Sequence, residues 1–153
     1  MDAFHAIPHS FAMEFSNAGG RDCHRLLSVV VDDDESVRES LPDLLRELGF
    51  AAQAFSSARE FLSSSCVDEA SCLILDIAMP GMSGPDLQQE LKRRGQEIPI
   101  IFITGQRDEN IRSEVLKQGA AGFLLKPFSE AALLRAINKA LQGNEDYAAK
   151  GMQ

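Results

Sequence analysis

The chain places acidic, hydroxyl and ammonium side chains directly at the ends of short apolar runs, at Asp32, Asp33, Asp76, Thr104 and Lys126. Carboxylates that share a pocket repel one another and raise each other's pKa, unless a cation lies close by. A divalent cation with oxygen ligands relieves that repulsion, and magnesium suits a site of one or two carboxylates, waters and a phosphoryl oxygen. Such a set could bind a phosphoryl group, with Asp76 as its covalent acceptor.

Each of these residues also has a purely structural explanation. Asp76 could cap the loop that follows it, because Asp favours turns for local hydrogen-bonding reasons. The acidic run could be the solvated start of a helix, where negative charge is favourable, and this interpretation suits Asp34 and Glu35 best. Thr104 and Lys126 could be ordinary strand-end residues. A functional site is favoured because all of these acidic, hydroxyl and ammonium residues are expected at the same edge of one sheet.

The hydrophobic pattern predicts five strands that alternate with five helices. The predicted strands are 26–31, 50–55, 72–76, 98–104 and 121–125, and the predicted helices are 37–48, 57–64, 85–94, 109–118 and 130–141. Gly49, Gly95 and Gly119 are expected to end three of the helices. This alternation predicts a parallel sheet that is covered on both faces through right-handed crossovers. The carboxyl ends of its strands then meet at one edge, where open α/β sheets bind ligands.

Composition restricts the classes of function. A chain of 153 residues, 44% of them hydrophobic and 25% charged, is typical of one globular domain with a core. The net charge of -8 disfavours non-specific binding to nucleic acid or anionic membrane, so we expect neither partner for this chain. No apolar run reaches the roughly 18 residues of a membrane span. Three cysteines without a close pair argue against disulfides and zinc, and favour a cytoplasmic location.

The two ends of the chain differ from its middle. Residues 1–25 hold all three histidines and lack the basic start and apolar core of a secretory signal. We expect them to form a flexible N-terminal extension, with a short docking helix as the alternative. The domain itself is predicted at 26–143, followed by a polar C-terminal tail at 144–153.

Residues 26–143 resemble the receiver domain of bacterial two-component response regulators. Four motifs carry the resemblance and agree with it in order and spacing: Val30-Val31-Asp32-Asp33, Leu75-Asp76-Ile77-Ala78-Met79-Pro80-Gly81-Met82-Ser83-Gly84, Ile103-Thr104-Gly105, and Gly119-Ala120-Ala121-Gly122-Phe123-Leu124-Leu125-Lys126-Pro127-Phe128. The resemblance implies a flavodoxin-like, doubly wound α/β fold. Its five-stranded parallel sheet would have the strand order 2-1-3-4-5 and carry five helices.

The resemblance also implies a role for each site residue. Asp76 would be the phosphorylated aspartate, and Thr104 and Lys126 would contact its phosphoryl group. Mg2+ would be held by oxygen ligands, namely Asp33, Asp76, the backbone carbonyl of Ala78 and, through water, Asp32. The bond between Lys126 and Pro127 would be cis.

Phe123 stands at the position of the family's aromatic switch residue, although plain core packing explains it equally well. By the resemblance, its ring would turn inward when Thr104 moves and alter the face made by the fourth helix, the fifth strand and the fifth helix. Those two helices could also form a homodimer. The implied partners are a sensor histidine kinase or a histidine phosphotransfer protein, and a downstream effector protein. The chain would be a signalling phosphoacceptor that assists its own phosphorylation and dephosphorylation, and not an enzyme in the ordinary sense.

Three alternatives remain open. The chain could be the receiver half of a truncated DNA-binding transcriptional regulator. It could be a pseudo-receiver used only for docking, against which the intact acidic pair, Thr104 and Lys126 argue. An enzyme of the haloacid-dehalogenase type also uses an aspartyl phosphate, but it normally needs a second Asp two residues after the nucleophile, and position 78 is Ala.

Overall fold

A five-stranded parallel sheet forms the centre of the protein. The computed structural model describes the backbone of residues 26–152 and the side chains of residues 26–142, so the predicted extension 1–25 lies outside the described residues. The strands are β1 (Leu27–Val31), β2 (Ala51–Phe55), β3 (Cys72–Asp76), β4 (Ile100–Thr104) and β5 (Gly122–Leu125). They pair in parallel in the order β2-β1-β3-β4-β5. The predicted fold class, strand number and strand order are confirmed.

Residues 26–152 form six helices, one more than the sequence predicts. They are α1 (Glu35–Glu47), α2 (Ala58–Leu62), α3 (Cys66–Glu69), α4 (Gly84–Arg93), α5 (Glu109–Lys117) and α6 (Glu130–Met152). The additional helix is α3, a single turn that is too short to show a hydrophobic period. Helix α6 also continues past residue 141, where the sequence predicts its end, and runs through Gly143. One glycine inside a helix costs only about 1 kcal/mol relative to alanine, and no proline follows it.

The sheet is buried on both faces, and every residue of β3 and β4 is buried. Alternate residues of each strand point to opposite faces. One face packs against α2 and α4 in a cluster that includes Val29, Leu73, Phe102, Phe61 and Leu87. The other face packs against α1 and α6 in a cluster that includes Val30, Ile74, Ile101, Leu45 and Ile137. Because helices cover both faces of the sheet, the strands are continuous apolar runs. Their tight packing fixes the positions of the polar residues at the strand ends.

Side-chain caps begin the helices that follow the strand ends. Asp34 caps α1, since its Oδ1 accepts hydrogen bonds from the Ser36 backbone N–H (3.0 Å) and the Ser36 hydroxyl (2.8 Å). The structural explanation that the sequence favours for Asp34 is therefore confirmed. Ser129 caps α6 as predicted, accepting from the N–H of Ala132 at 3.0 Å. The three glycines predicted to end helices all have positive φ angles, which glycine adopts without steric cost.

Helix length and hydropathy also bear on membrane contact. Across residues 26–152, none of the helices combines the length and the apolar character that a membrane crossing requires.

Candidate functional site

All seven residues to which the sequence assigns a role line one cavity of about 330 Å³ at the carboxyl edge of the sheet. They are Asp32, Asp33, Asp76, Ala78, Thr104, Phe123 and Lys126. The topology accounts for their meeting, because each of them lies in, or directly after, one of the adjacent strands β1, β3, β4 and β5. Parallel strands end at a common edge, so residues far apart in sequence converge there.

Three carboxylates form the acidic part of the cavity. Asp32 and Asp76 are buried, at 0% and 6% exposure, whereas Asp33 is exposed. One carboxylate oxygen from each residue lies within 4.8 Å of the others. Hard oxygen donors at this spacing, one of them exposed to solvent, fit the preference of Mg2+ for a few carboxylates and several waters. The residues present therefore fit the ion that the resemblance implies.

Lys126 provides the positive charge of the cavity. Its Nζ donates to Asp32 Oδ2 at 2.9 Å and lies 3.7 Å from Asp76 Oδ1. Burial opposes the charge on this ammonium group, but the hydrogen bond and the charge of Asp32, with the charge of Asp76, outweigh it and raise the pKa of Lys126. The ammonium is therefore held in its charged form between the two buried carboxylates.

The environment of Asp76 strongly perturbs its carboxyl group. Burial, followed by the negative charge of Asp32, raises its pKa to about 7, and the opposing charge of Lys126 offsets only part of this. The anion of Asp76 is therefore under-compensated by the groups that the chain itself supplies. A divalent cation would balance that negative charge.

Thr104 ends β4 and is nearly buried, at 7% exposure. Its Oγ1 accepts a hydrogen bond from the Gln106 N–H at 3.2 Å. The hydroxyl proton then stays available to donate to an oxygen in the cavity. The Thr104 carbonyl accepts from the Lys126 N–H at 2.7 Å, which ties the ends of β4 and β5 together beside the site.

Phe123, in β5, separates the acidic cavity from a second, smaller one. Its half-buried ring lines the acidic cavity and also a cavity of about 150 Å³ between β5 and the start of α5. The Arg112 guanidinium carbon lies 6.0 Å from the ring centroid on the side of this second cavity. A change in the ring position would therefore alter both the acidic site and the α5–β5 surface.

Two residues contribute to the site in ways that the sequence does not reveal. Gly84 ends the second sequence motif, and a Cβ at this position would overlap the carbonyl oxygen of Asp76 and lie 3.1 Å from the ring of Phe102. Glycine is thus needed for the close approach of α4 to the end of β3. The sequence predicts no role for Arg38, whose guanidinium donates to the Asp32 carbonyl at 3.1 Å. Neither contact has a signal in spacing or composition.

The peptide bond between Lys126 and Pro127 is cis, as the resemblance implies. It lies directly after β5, at the point where the chain leaves the site for α6.

Comparisons with known proteins agree with this fold. The family model for the response regulator receiver domain matches residues 29–138. The chain is 46% identical over 113 residues to the response regulator protein TodT of Pseudomonas putida, a match that covers 74% of this chain and 50% of TodT. It is 42% identical over 124 residues to the transcriptional regulatory protein FixJ of Azorhizobium caulinodans, covering 78% of this chain and 59% of FixJ. The solved structure of response regulator StyR superposes with a TM-score of 0.74 at 45% identity, covering 84% of this chain and 66% of StyR.

The chain belongs to the response regulator receiver domain family, whose members are signalling proteins of two-component systems. It spans about half the length of the curated relatives that it matches.

Proposed function

We propose that this chain is a phosphoacceptor and that Asp76 receives a phosphoryl group from a phosphohistidine. The donor is a sensor histidine kinase or a histidine phosphotransfer protein, and it acts in the cytoplasm. The observation that carries the proposal is the placement of Asp76. Its buried carboxylate ends β3 at 3.7 Å from the Lys126 ammonium, in a cavity that also holds Asp32, Asp33 and Thr104.

The residues that line the cavity have different roles in the transfer. An oxygen of ionised Asp76 attacks the phosphorus; a P–O bond forms, the P–N bond to the donor imidazole breaks, and its electron pair returns to the ring nitrogen. The Lys126 ammonium and the Thr104 hydroxyl donate hydrogen bonds to the phosphoryl oxygens as charge develops on them. Mg2+, when bound, supplies positive charge that offsets the carboxylates and the phosphoryl oxygens. It would be held by Asp33, Asp76, the backbone carbonyl of Ala78 and, through water, Asp32.

The same residues connect phosphorylation to the surface. Thr104 donates to the new phosphoryl group and shifts toward it, which frees space beside Phe123. The ring of Phe123 then turns inward and changes the face formed by α5, β5 and α6. These three elements correspond to the fourth helix, fifth strand and fifth helix predicted from the sequence. The position of this ring between two cavities supports the proposal. A downstream effector protein reads the altered face, and a homodimer through α5 and α6 would use the same surface.

A second candidate is that this chain is the receiver half of a DNA-binding transcriptional regulator. The observation that favours it is the partial coverage of the relatives, of which FixJ is named as a transcriptional regulatory protein. The chemistry at Asp76 would be the same, and the altered face would act on the remainder of the protein. The complete set of site residues in one cavity argues against a pseudo-receiver that serves only for docking.

Incubation with acetyl phosphate and Mg2+ tests the proposed function. We expect one phosphoryl group per chain, detected by intact mass, and no modification when the metal is chelated, because the cavity then retains uncompensated negative charge. The bond should be cleaved by hydroxylamine, as an acyl phosphate is. A label that forms equally well without Mg2+, or that resists hydroxylamine, would contradict a carboxylate acceptor.

Replacing Asp33 by Ala should weaken Mg2+ binding by about tenfold or more, because it removes one carboxylate ligand and one negative charge from the site. Isothermal titration of Mg2+ into the two proteins measures the effect. Asp43→Ala is the matched control, since it removes the same charge from an exposed position on α1, where Asp43 pairs with Arg46 at 3.2 Å. Equal Mg2+ affinity in wild type and Asp33→Ala would remove Asp33 from the ligand set.

A further inference from the structure

Arg38 holds the peptide group from which Asp33 extends. This half-buried residue lies in the first turns of α1, and its Nη1 donates to the Asp32 carbonyl oxygen at 3.1 Å. That carbonyl belongs to the peptide bond between Asp32 and Asp33. Because a peptide group is planar, fixing its oxygen also fixes the nitrogen and Cα of Asp33. The guanidinium therefore constrains the backbone of a residue that it does not touch.

The other polar atoms of Asp32 are held by other parts of the fold. Its N–H donates to the Phe55 carbonyl at 3.1 Å. Its Oδ1 accepts from the Asp34 N–H at 2.9 Å, and its Oδ2 accepts from Lys126 Nζ at 2.9 Å. With the bond from Arg38, each hydrogen-bonding atom of Asp32 has a partner. The exposed side chain of Asp33 starts from this immobilised peptide and lines the cavity.

We propose that Arg38 is a positioning residue for the divalent-cation site, acting through the Asp32 carbonyl on the direction of the Asp33 carboxylate. This inference rests on the proposed function, because it assigns a support to the cation site that the proposal requires. A site for Mg2+ needs near-ideal octahedral geometry, so a small error in the direction of one carboxylate weakens binding. Outer groups that orient metal ligands typically change metal affinity by about 10- to 100-fold when they are removed.

The positive charge of Arg38 and its proposed positioning role have opposite effects on Mg2+ affinity. A guanidinium beside the acidic cavity repels a divalent cation, so on charge alone its removal should strengthen Mg2+ binding. If Arg38 instead positions Asp33, its removal should weaken Mg2+ binding despite the lost repulsion. The direction of the change in affinity therefore separates the two effects.

Arg46 offers a matched control on the same helix. Its Nη2 donates to the Ala52 carbonyl at 3.0 Å, so Arg38 and Arg46 each bind a backbone carbonyl six residues away in sequence. Only the carbonyl bound by Arg38 lies next to the acidic residues. Loss of either guanidinium should reduce stability to a similar extent, whereas only loss of Arg38 should weaken Mg2+ binding.

The experiment is a titration of Mg2+ into wild type, Arg38→Ala, Arg38→Lys and Arg46→Ala, with thermal unfolding of each metal-free protein. We expect the Kd for Mg2+ to rise about tenfold in Arg38→Ala, to rise less in Arg38→Lys, whose ammonium can still donate, and to stay within about twofold in Arg46→Ala. If Arg38→Ala folds poorly, Arg38→Met keeps the test decisive, because it retains the apolar stem without a donor and an unchanged or tighter Kd in that variant overturns the proposal.

Two further results would overturn the proposal. The first is binding of Mg2+ by Arg38→Ala that is as tight as in wild type or tighter. The second is a loss of affinity in Arg46→Ala as large as that in Arg38→Ala, which would show a general effect of stability. These results leave the proposed function intact. Failure of the wild type itself to bind Mg2+, or full binding by Asp33→Ala, would instead remove the cation site and the support assigned to it.

Discussion

Replacing Asp76 by Asn is expected to abolish phosphorylation by acetyl phosphate or by a phosphorylated histidine kinase. The amide has nearly the same shape as the carboxyl group, so the buried end of β3 should keep its packing. It carries no negative charge and is not a nucleophile toward phosphorus. The modified fraction should fall below detection by intact mass at times when the wild type is fully modified.

Asp34→Asn is the matched control for this experiment. It is the same substitution at the same edge of the sheet, and Asp34 serves as the cap of α1, a position in which Asn is equally suitable. This variant should still be phosphorylated. Persistent labelling of Asp76→Asn would contradict the assignment of the acceptor, and it would direct the search to the other carboxylates of the cavity.

Asp76→Asn should also stabilise the metal-free protein against unfolding, and this gain should increase as the pH rises. Burial and the charge of Asp32 raise the pKa of Asp76 from 3.8 to about 7 in the folded state. The unfolded chain therefore gives up this proton at lower pH than the folded protein does. Stability from the protonated group is complete below about pH 4 and is lost as the pH rises through 7. Because Asn cannot ionise, Asp76→Asn does not suffer this loss.

We therefore expect the gain in free energy of unfolding of Asp76→Asn over wild type to grow by about 2 kcal/mol between pH 5 and pH 8. Urea unfolding in the presence of EDTA measures it. Mg2+ should reduce the difference in free energy of unfolding between Asp76→Asn and wild type, because it binds the folded wild type and compensates the charge of Asp76. Asp68→Asn, the same change at an exposed residue of α3, is the control. A difference between wild type and Asp76→Asn that is constant with pH would show that the Asp76 carboxylate is already compensated without metal.

The distances around Lys126 also bear on the proposed role of Asp76 as the phosphoryl acceptor. Lys126 donates to Asp32 at 2.9 Å, whereas Asp76 lies 3.7 Å from the ammonium. Asp32 therefore takes the stronger interaction, and the Asp76 carboxylate is less tightly engaged by the chain's own cation. In the proposed transfer, a carboxylate that is held less tightly has less interaction to lose when it attacks phosphorus. The proposed role of Asp76 therefore uses the same unbalanced charge that raises its pKa in the metal-free protein.

Local sequence determined most of the secondary structure. The strands are buried on both faces and so appear as apolar runs, and the predicted bounds of β3 agree with the structure at both ends. Glycines with positive φ end α1, α4 and α5 where predicted. The prediction failed where the local signal was weakest, at the single turn of α3 and at the end of α6. A short turn shows no period, and one glycine is too small a penalty to stop a helix.

The sequence by itself also determined which residues form the candidate site. Asp76, Thr104 and Lys126 could be identified because each stands at a strand end, and parallel strands bring their ends to one edge whatever the details of packing. Only the tertiary structure decided how charge is shared among them. Burial and distances of a few ångströms set the pairing of Lys126 with Asp32 and the raised pKa of Asp76. The need for glycine at position 84 and the contact of Arg38 with the Asp32 carbonyl likewise depend on atoms that meet only after folding.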